Sequence, residues 1–270
     1  MPRPCDVHVH LVPSLFEPDD LTGGVAVMID VLRASTTICT ALQNGAEAVV
    51  PLSEVPRTLA LARSDERGVA GGERDGLPPE GFDLGNSPAM YTTESIGGKV
   101  VYFTTSNGTQ ALQRMRQAEA VYIAAFVNRA AVAARLQHET RPIHFICAGT
   151  DGAKTAEDVL LAGALVHDLL GEIGLDCSIG TQLAGDHFAV RGERLRDAIA
   201  SGRGGRNLTR LGLDADIDAA IETSTIDLVP EWDLRTNRLS TAETPVPAAP
   251  ETPPPSDDGG DRSDDGLGGW

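Results

Sequence analysis

Short apolar runs alternate with amphipathic stretches along most of the chain. Runs at 25–30, 48–52, 100–105, 121–126 and 143–148 are five or six residues long and rich in Val, Ile, Phe and Tyr. That is the length and composition of buried strands. Between and after them, apolar residues recur with helical spacing near 36–44, 55–65, 108–116, 129–138 and 155–173. Gly45 follows the first of these as a C-terminal cap, and Asn128 precedes the fourth as an N-cap. Strand then helix, repeated, predicts an α/β fold, three-layer α/β/α with mostly parallel sheets. Beyond Gly174 the pattern turns mostly helical, with a late strand near 227–232.

Residues 241–270 break from this pattern. Pro, Gly, Ser and Asp dominate them, so they read as a disordered acidic tail behind a folded unit of 1–240. Trp270 is the tail residue best suited to anchoring. Within the body there is a faint internal echo. Thr40-Ala41-Leu42-Gln43 leads to Ala46-Glu47-Ala48-Val49, much as Thr109-Gln110-Ala111-Leu112-Gln113 leads to Ala118-Glu119-Ala120-Val121. Chance among Ala-rich helices and duplication into two lobes, about 1–95 and 96–240, both account for it.

Charge and composition narrow the partners. The net charge is −17, and residues 241–270 hold seven acids against one base, leaving −11 on the body. That argues against nucleic acid or an anionic membrane, which need a basic face. It does not exclude a small anion, because local charge decides binding at a site. Aromatics make up only 4%, so the core must be mainly Ala, Val, Leu and Ile. Cys5, Cys39, Cys147 and Cys177 form no C-x-x-C pair, and free thiols in a reducing cytoplasm fit them. Neither a signal peptide nor an apolar run of membrane-spanning length is read.

The loops after the strands carry the candidate chemistry, since open α/β sheets bind ligands beyond the carboxyl ends of their strands. The first holds Asp30, Arg33, Ser35 and Thr36. The segment 69–88 holds Glu73, Arg74, Asn86 and Ser87. Thr105, Ser106, Asn107 and Gly108 follow the third run, and Cys147, Gly149, Lys154, Glu157 and Asp158 follow the fifth. Small residues, hydroxyls and bases in such loops form an anion site. Asp30, Glu73, Glu157 and Asp158 offer the hard oxygens that Mg2+ prefers. The ordinary alternatives are a turn-binding Asp30, a Glu73–Arg74 loop ion pair, and Asp158 as part of a helix cap. Arg33, Arg74 and Lys154 would neutralise substrate anions.

Three other patterns lead elsewhere. Asp6-Val7-His8-Val9-His10 contains an H-x-H pair, but further metal ligands are not evident, so surface or interface histidines fit better. Leu32 stands where haloacid-dehalogenase-type phosphatases carry a second Asp. Ala153 stands where cysteine phosphatases after a Cys147-type strand end carry Arg.

Four runs, IDVLRASTTI (29–38), GGERDGLPPEGFDLGNSP (71–88), TTSNGTQAL (104–112) and CAGTDGAKTAEDVLLAGA (147–164), together with GRNLTRLGLDADI (205–217), resemble the 2-phosphosulfolactate phosphatase family. The resemblance covers roughly residues 5–235. It implies two lobes of similar topology with the site between them. It also implies Mg2+-dependent hydrolysis of (R)-2-phospho-3-sulfolactate to 3-sulfolactate and phosphate, a step of coenzyme M biosynthesis in organisms that make it. Asp30, Arg33, Glu73 and Arg74 are then the expected catalytic residues. Ser35, Thr36, Asn86, Ser87, Thr105, Ser106, Asn107, Gly108, Cys147, Gly149 and Lys154 are the expected substrate contacts. Mg2+ would take its ligands from Asp30, Glu73, Glu157 and Asp158. A cytoplasmic location and a homodimer are compatible with this reading. The competing class is a non-catalytic anion-binding or sensor protein, which would need the arginines but not the carboxylates.

Overall fold

The apolar run beginning at Val25 is buried over its whole strand, and both of its faces explain why. In the computed structural model, which describes residues 6–241, this strand stands third in a nine-stranded sheet covered by helices. Ala26 and Met28 enter one hydrophobic core, and Val25, Val27 and Ile29 enter the other. Side chains alternate along a strand, so a strand covered on both faces reads as a continuous apolar run.

The sheet is built from β1 (Val7–His10), β2 (Val25–Ile29), β3 (Ala48–Pro51), β4 (Gly68–Gly72) and β5 (Val100–Thr104). It is completed by β6 (Ala120–Ala124), β7 (Ile143–Cys147), β8 (Pro230–Asp233) and β9 (Arg238–Thr241). Between the strands lie α1 (Ala34–Gln43), α2 (Val55–Ser64), α3 (Thr93–Ile96), α4 (Gly108–Arg114) and α5 (Arg129–Leu136). The helical region after β7 comprises α6 (Ala156–Leu170), α7 (Ile179–Arg191), α8 (Leu195–Ala200), α9 (Arg203–Arg210) and α10 (Asp214–Ile221). Helices α1 and α4 pack their apolar faces into the first core, with Ile38 and Leu112 fully covered. Helices α5 and α6 pack into the second, through Leu136, Leu161 and Leu165. Each fully buried side chain of this size stabilises the fold by about 1.5–3 kcal/mol. Gly45, just past α1, has φ 91°, the left-handed turn at which glycine ends a helix without strain.

The strand order, β1-β7-β2-β6-β8-β9-β3-β5-β4, falls into two parallel groups. β1, β7, β2 and β6 pair in parallel, and so do β3, β5 and β4. The antiparallel hairpin β8–β9 joins the two parallel halves, pairing with β6 on one side and β3 on the other. Two strand–helix–strand units, β2-α1-β3 and β5-α4-β6, cross between the halves in opposite directions. The sequence echo falls on their equivalent helix-to-strand passages. The expected lobe limits near residue 95 therefore do not coincide with the halves of the sheet. Both segments contribute strands to each half because each of these crossovers changes sides.

Three strands were absent from the sequence reading. β1 is a four-residue edge strand, β4 reads GVAGG, and β9 reads RLST. The expected late strand appears as β8, slightly further along. The expected tail lies outside the described residues apart from Thr241. Among the described residues no helix is long and apolar enough to cross a membrane.

Candidate functional site

Strand ends from both halves of the sheet meet in one cavity of about 480 Å³. Asp30 leaves β2, and Thr150 and Asp151 follow β7. From the other half, Glu73 leaves β4, and Thr105, Ser106 and Asn107 leave β5. Helix α9 supplies a further wall with Arg203, Arg206, Asn207 and Arg210. The meeting is close. A Cβ on Gly108 would lie 2.8 Å from Asp30 Oδ2 and 3.2 Å from Ala34 Cβ. Only glycine lets the start of α4 approach the start of α1 this nearly.

Asp30 is buried, and its backbone N–H donates to the Ser35 hydroxyl at 2.9 Å. Its Oδ1 receives a long bond from the Ala34 N–H at 3.4 Å, and no hydrogen bond reaches Oδ2 among the described residues. Burial, with Asp158, Glu73 and Glu157 nearby, pushes its carboxyl well above the usual range. The charged form of Asp30 therefore calls for a cation. Glu73 is more fully engaged. Its Oε1 accepts from the Ser106 N–H at 2.7 Å and its Oε2 from the Gly76 N–H at 2.8 Å. It thus ties the loop after β4 to the loop after β5. Asn86 lines the same cavity, buried, with an Oδ1 that has no hydrogen-bond partner among the described residues.

Asp158 does not face the cavity. Its Oδ1 accepts from the Val31 N–H at 2.9 Å, and its Oδ2 from the Gly149 N–H at 3.0 Å and the Thr155 hydroxyl at 2.9 Å. It clamps the loops after β2 and β7 together, a longer reach than the cap considered from sequence. Burial raises its pKa while these bonds hold it down. Glu157 lies behind α9, where a Cβ on Gly204 would meet its Oε1 at 2.2 Å. Its Oε2 is buried without a partner among the described residues, and burial, helped by Asp158, pushes the carboxyl well up.

Arg33 lines the cavity, held by Asp216 and the Gly76 carbonyl, both at 2.7 Å. Asp216 also accepts the Ser87 hydroxyl, so Ser87 acts behind the wall. Arg74 donates to the Ser53 and Glu73 carbonyls and to Thr104 Oγ1. It lines a neighbouring depression that shares Thr105, Ser106, Asn107 and Asp151 with the main cavity. Thr36 donates to the Val31 carbonyl at 2.8 Å and shapes the turn after β2. Ser35, Thr36, Gly108, Cys147, Gly149 and exposed Lys154 do not line the cavity. Cys147 is fully buried, and burial raises its thiol far above the ordinary range, which is unfavourable for a nucleophile. His8 and His10 sit on edge strand β1, where His10 Nε2 and His144 Nδ1 are 3.1 Å apart. They are not part of the cavity lining.

The arginines of α9 were missed from sequence. Their signal is helical spacing: positions 203, 206 and 210 share one helix face.

Among the described residues no group of three or more His, Cys, Asp or Glu side chains is arranged to hold a metal ion. Mg2+ commonly takes only one or two carboxylates, with waters and substrate oxygens completing its shell. Asp30, with its open Oδ2, and Asn86, with its unpartnered oxygen, fit that smaller demand, with Glu73 beside them. Asp158, with both oxygens engaged, does not.

A parallel-stranded α/β protein, with buried carboxylates at strand ends facing arginines across a polar cavity, is of the class that handles small anionic substrates. This chain belongs to the 2-phosphosulpholactate phosphatase family, whose sequence model matches residues 10–234. A protein of Symbiobacterium thermophilum named "Probable 2-phosphosulfolactate phosphatase" is 38% identical over 218 residues, covering 78% of this chain and 92% of the relative. A Synechococcus protein of the same name is 39% identical over 225 residues, covering 80% and 92%. One from Clostridium perfringens is 31% identical over 244 residues, covering 89% and 98%.

Proposed function

We propose that this protein is a phosphoric monoester hydrolase that converts (R)-2-phospho-3-sulfolactate to 3-sulfolactate and phosphate with Mg2+. The supporting observation is the convergence of Asp30, Glu73, Asn86 and Thr105–Asn107 in one cavity of a member of this family. Asp30 and Asn86 would hold the metal. When bound, Mg2+ supplies polarisation of a phosphoryl oxygen and acidification of a water. Its charge would also keep Asp30 ionised despite burial.

The chain's own groups do the rest. The side-chain amide of Asn107 donates to phosphoryl oxygens as charge develops on them, and the hydroxyls of Thr105 and Ser106 do so on leaving Thr109 Oγ1 and Glu73 Oε2, at 3.2 Å and 3.3 Å. The Ser106 N–H is not available for this, since it is bonded to Glu73. Arg33, its charge balanced by Asp216, presents a guanidinium fixed in place to the cavity. Preorganised charge of this kind needs no reorientation during the reaction. Glu73 holds two of the contributing loops in register.

The test is phosphate release from (R)-2-phospho-3-sulfolactate with Mg2+ and with EDTA. Release that stops with EDTA and returns with Mg2+ is expected, and Asp30→Asn should abolish it. Absence of release from this ester and from related 2-phospho acids would reject the reading in favour of a non-catalytic anion binder.

A further inference from the structure

The cavity carries four arginines, and their charges are not equivalent. Arg33 is neutralised by Asp216, and Arg203 is neutralised by Asp151 at 2.6 Å. Arg206 and Arg210 form no ion pair among the described residues. The bonds they make go to neutral oxygens, the Ser201 carbonyl and Asn207 Oδ1. Both are exposed and line the cavity. Positions four apart on a helix are neighbours, with Cβ atoms about 5–6 Å from each other. Two uncompensated guanidiniums thus stand side by side on a protein whose body carries a net −11. The same lining holds the carboxylates of Asp30, Glu73 and Asp75. The cavity thus offers carboxylates suited to a cation and two uncompensated guanidiniums suited to an anion.

A single phosphoryl group engaged by the carboxylates through a cation would leave the two α9 guanidiniums unmatched. Guanidinium forks pair with carboxylates and comparable oxyanions through two parallel bonds. Resting on the phosphatase reading for the phosphoryl end, we infer that Arg206 and Arg210 grip the substrate's second anion, its carboxylate or sulfonate. They thereby select esters that carry one. Because these anions persist in the dephosphorylated product, the same pair also holds that product after phosphate leaves.

The inference is tested without turnover. Titration calorimetry of the full chain in Mg2+ buffer would measure binding of 3-sulfolactate, which has no phosphoryl group, and of inorganic phosphate. Arg206→Ala and Arg210→Ala are each expected to weaken 3-sulfolactate binding by about 10- to 100-fold, the loss of a charge-assisted contact. Phosphate binding should weaken much less. Arg206→Lys should restore part of the loss, and Asp30→Asn should show the reverse selectivity. Thermal unfolding checks that the variants remain folded. The inference is overturned if wild type fails to bind 3-sulfolactate, if the alanine variants bind it within twofold of wild type, or if both ligands weaken equally. Arginine-dependent 3-sulfolactate binding in a wild type that releases no phosphate would sink the phosphatase reading and leave this inference standing.

Discussion

Replacing Asp216 with Ala should be among the most damaging single changes in the protein. Its carboxylate is 2% exposed, sits 2.7 Å from Arg33, and accepts the Ser87 hydroxyl. The Arg33 side chain is itself only 4% exposed. Truncating Asp216 leaves that guanidinium buried with only the Gly76 carbonyl among these partners. Breaking a buried pair from one side costs about 3–5 kcal/mol, and the stranded Ser87 hydroxyl adds up to about 1 kcal/mol. Against a typical total of about 5–15 kcal/mol, that is a large share. Urea unfolding followed by circular dichroism reads it directly. With slopes of about 1–3 kcal/mol per molar, the midpoint should fall by at least about 1 M. The decisive comparison is the double variant Arg33→Met/Asp216→Leu, which removes both charges and should regain most of the lost stability. A loss below about 1 kcal/mol for Asp216→Ala, or a double variant no better than the single one, would refute the assignment of this pair.

Gly108→Ala tests the contact between the two crossover units. The added Cβ must push away Asp30 Oδ2, which would lie 2.8 Å from it, and a misplacement of about 1 Å at a site costs about 100-fold. Steady-state phosphate release should show kcat falling by about that factor, and an unchanged kcat would contradict the geometry. Glu157→Gln tests the buried acids through pH. The folded pKa of Glu157 is raised, so its protonated form favours the native state. That stabilisation is full below the unfolded pKa of about 4.3 and is lost as pH rises through the raised folded value. Glu157→Gln should therefore raise Tm at about pH 8.5 and change it little at about pH 4.5. An equal shift at both pH values would argue against a titrating Glu157. Metal binding requires ionised ligands, so Mg2+ should raise the wild-type Tm more at about pH 8.5 than at about pH 5.5. Asp30→Asn should remove most of that rise.

The five apolar runs became strands buried almost throughout, where apolar residues run nearly without interruption. β1 and β9 carry polar residues at alternate positions, because one lies at the sheet edge and the other in the late hairpin. β4 is nearly all glycine and alanine because neighbouring groups leave no room for side chains. A Cβ on Gly72 would lie 1.9 Å from the Thr104 carbonyl oxygen. The site was legible wherever function sits just after a strand, as for Asp30, Glu73 and Thr105–Asn107. Ser35, Thr36 and Asp158 share those loops but hold the turns together, a role that residue type alone does not separate from ligand binding. The α9 arginines lie far along the chain in a helix whose packing over the cavity is a tertiary event. Helical spacing could align them but could not say what they face.

The central hairpin has a consequence for how the chain reaches this state. β8 and β9 are the last strands in sequence, yet they occupy the middle of the sheet. During vectorial synthesis, β6 and β3 can each finish their parallel partnerships while their other edges still lack neighbours. Unpaired edges of this kind invite association with other chains. Residues 230–241 then act as a keystone, closing two vulnerable edges in one late step. Pulse-labelled hydrogen exchange during refolding should find the β8–β9 amides protected after those shared by β2, β6 and β7. Simultaneous protection would mean that the keystone is in place from the start.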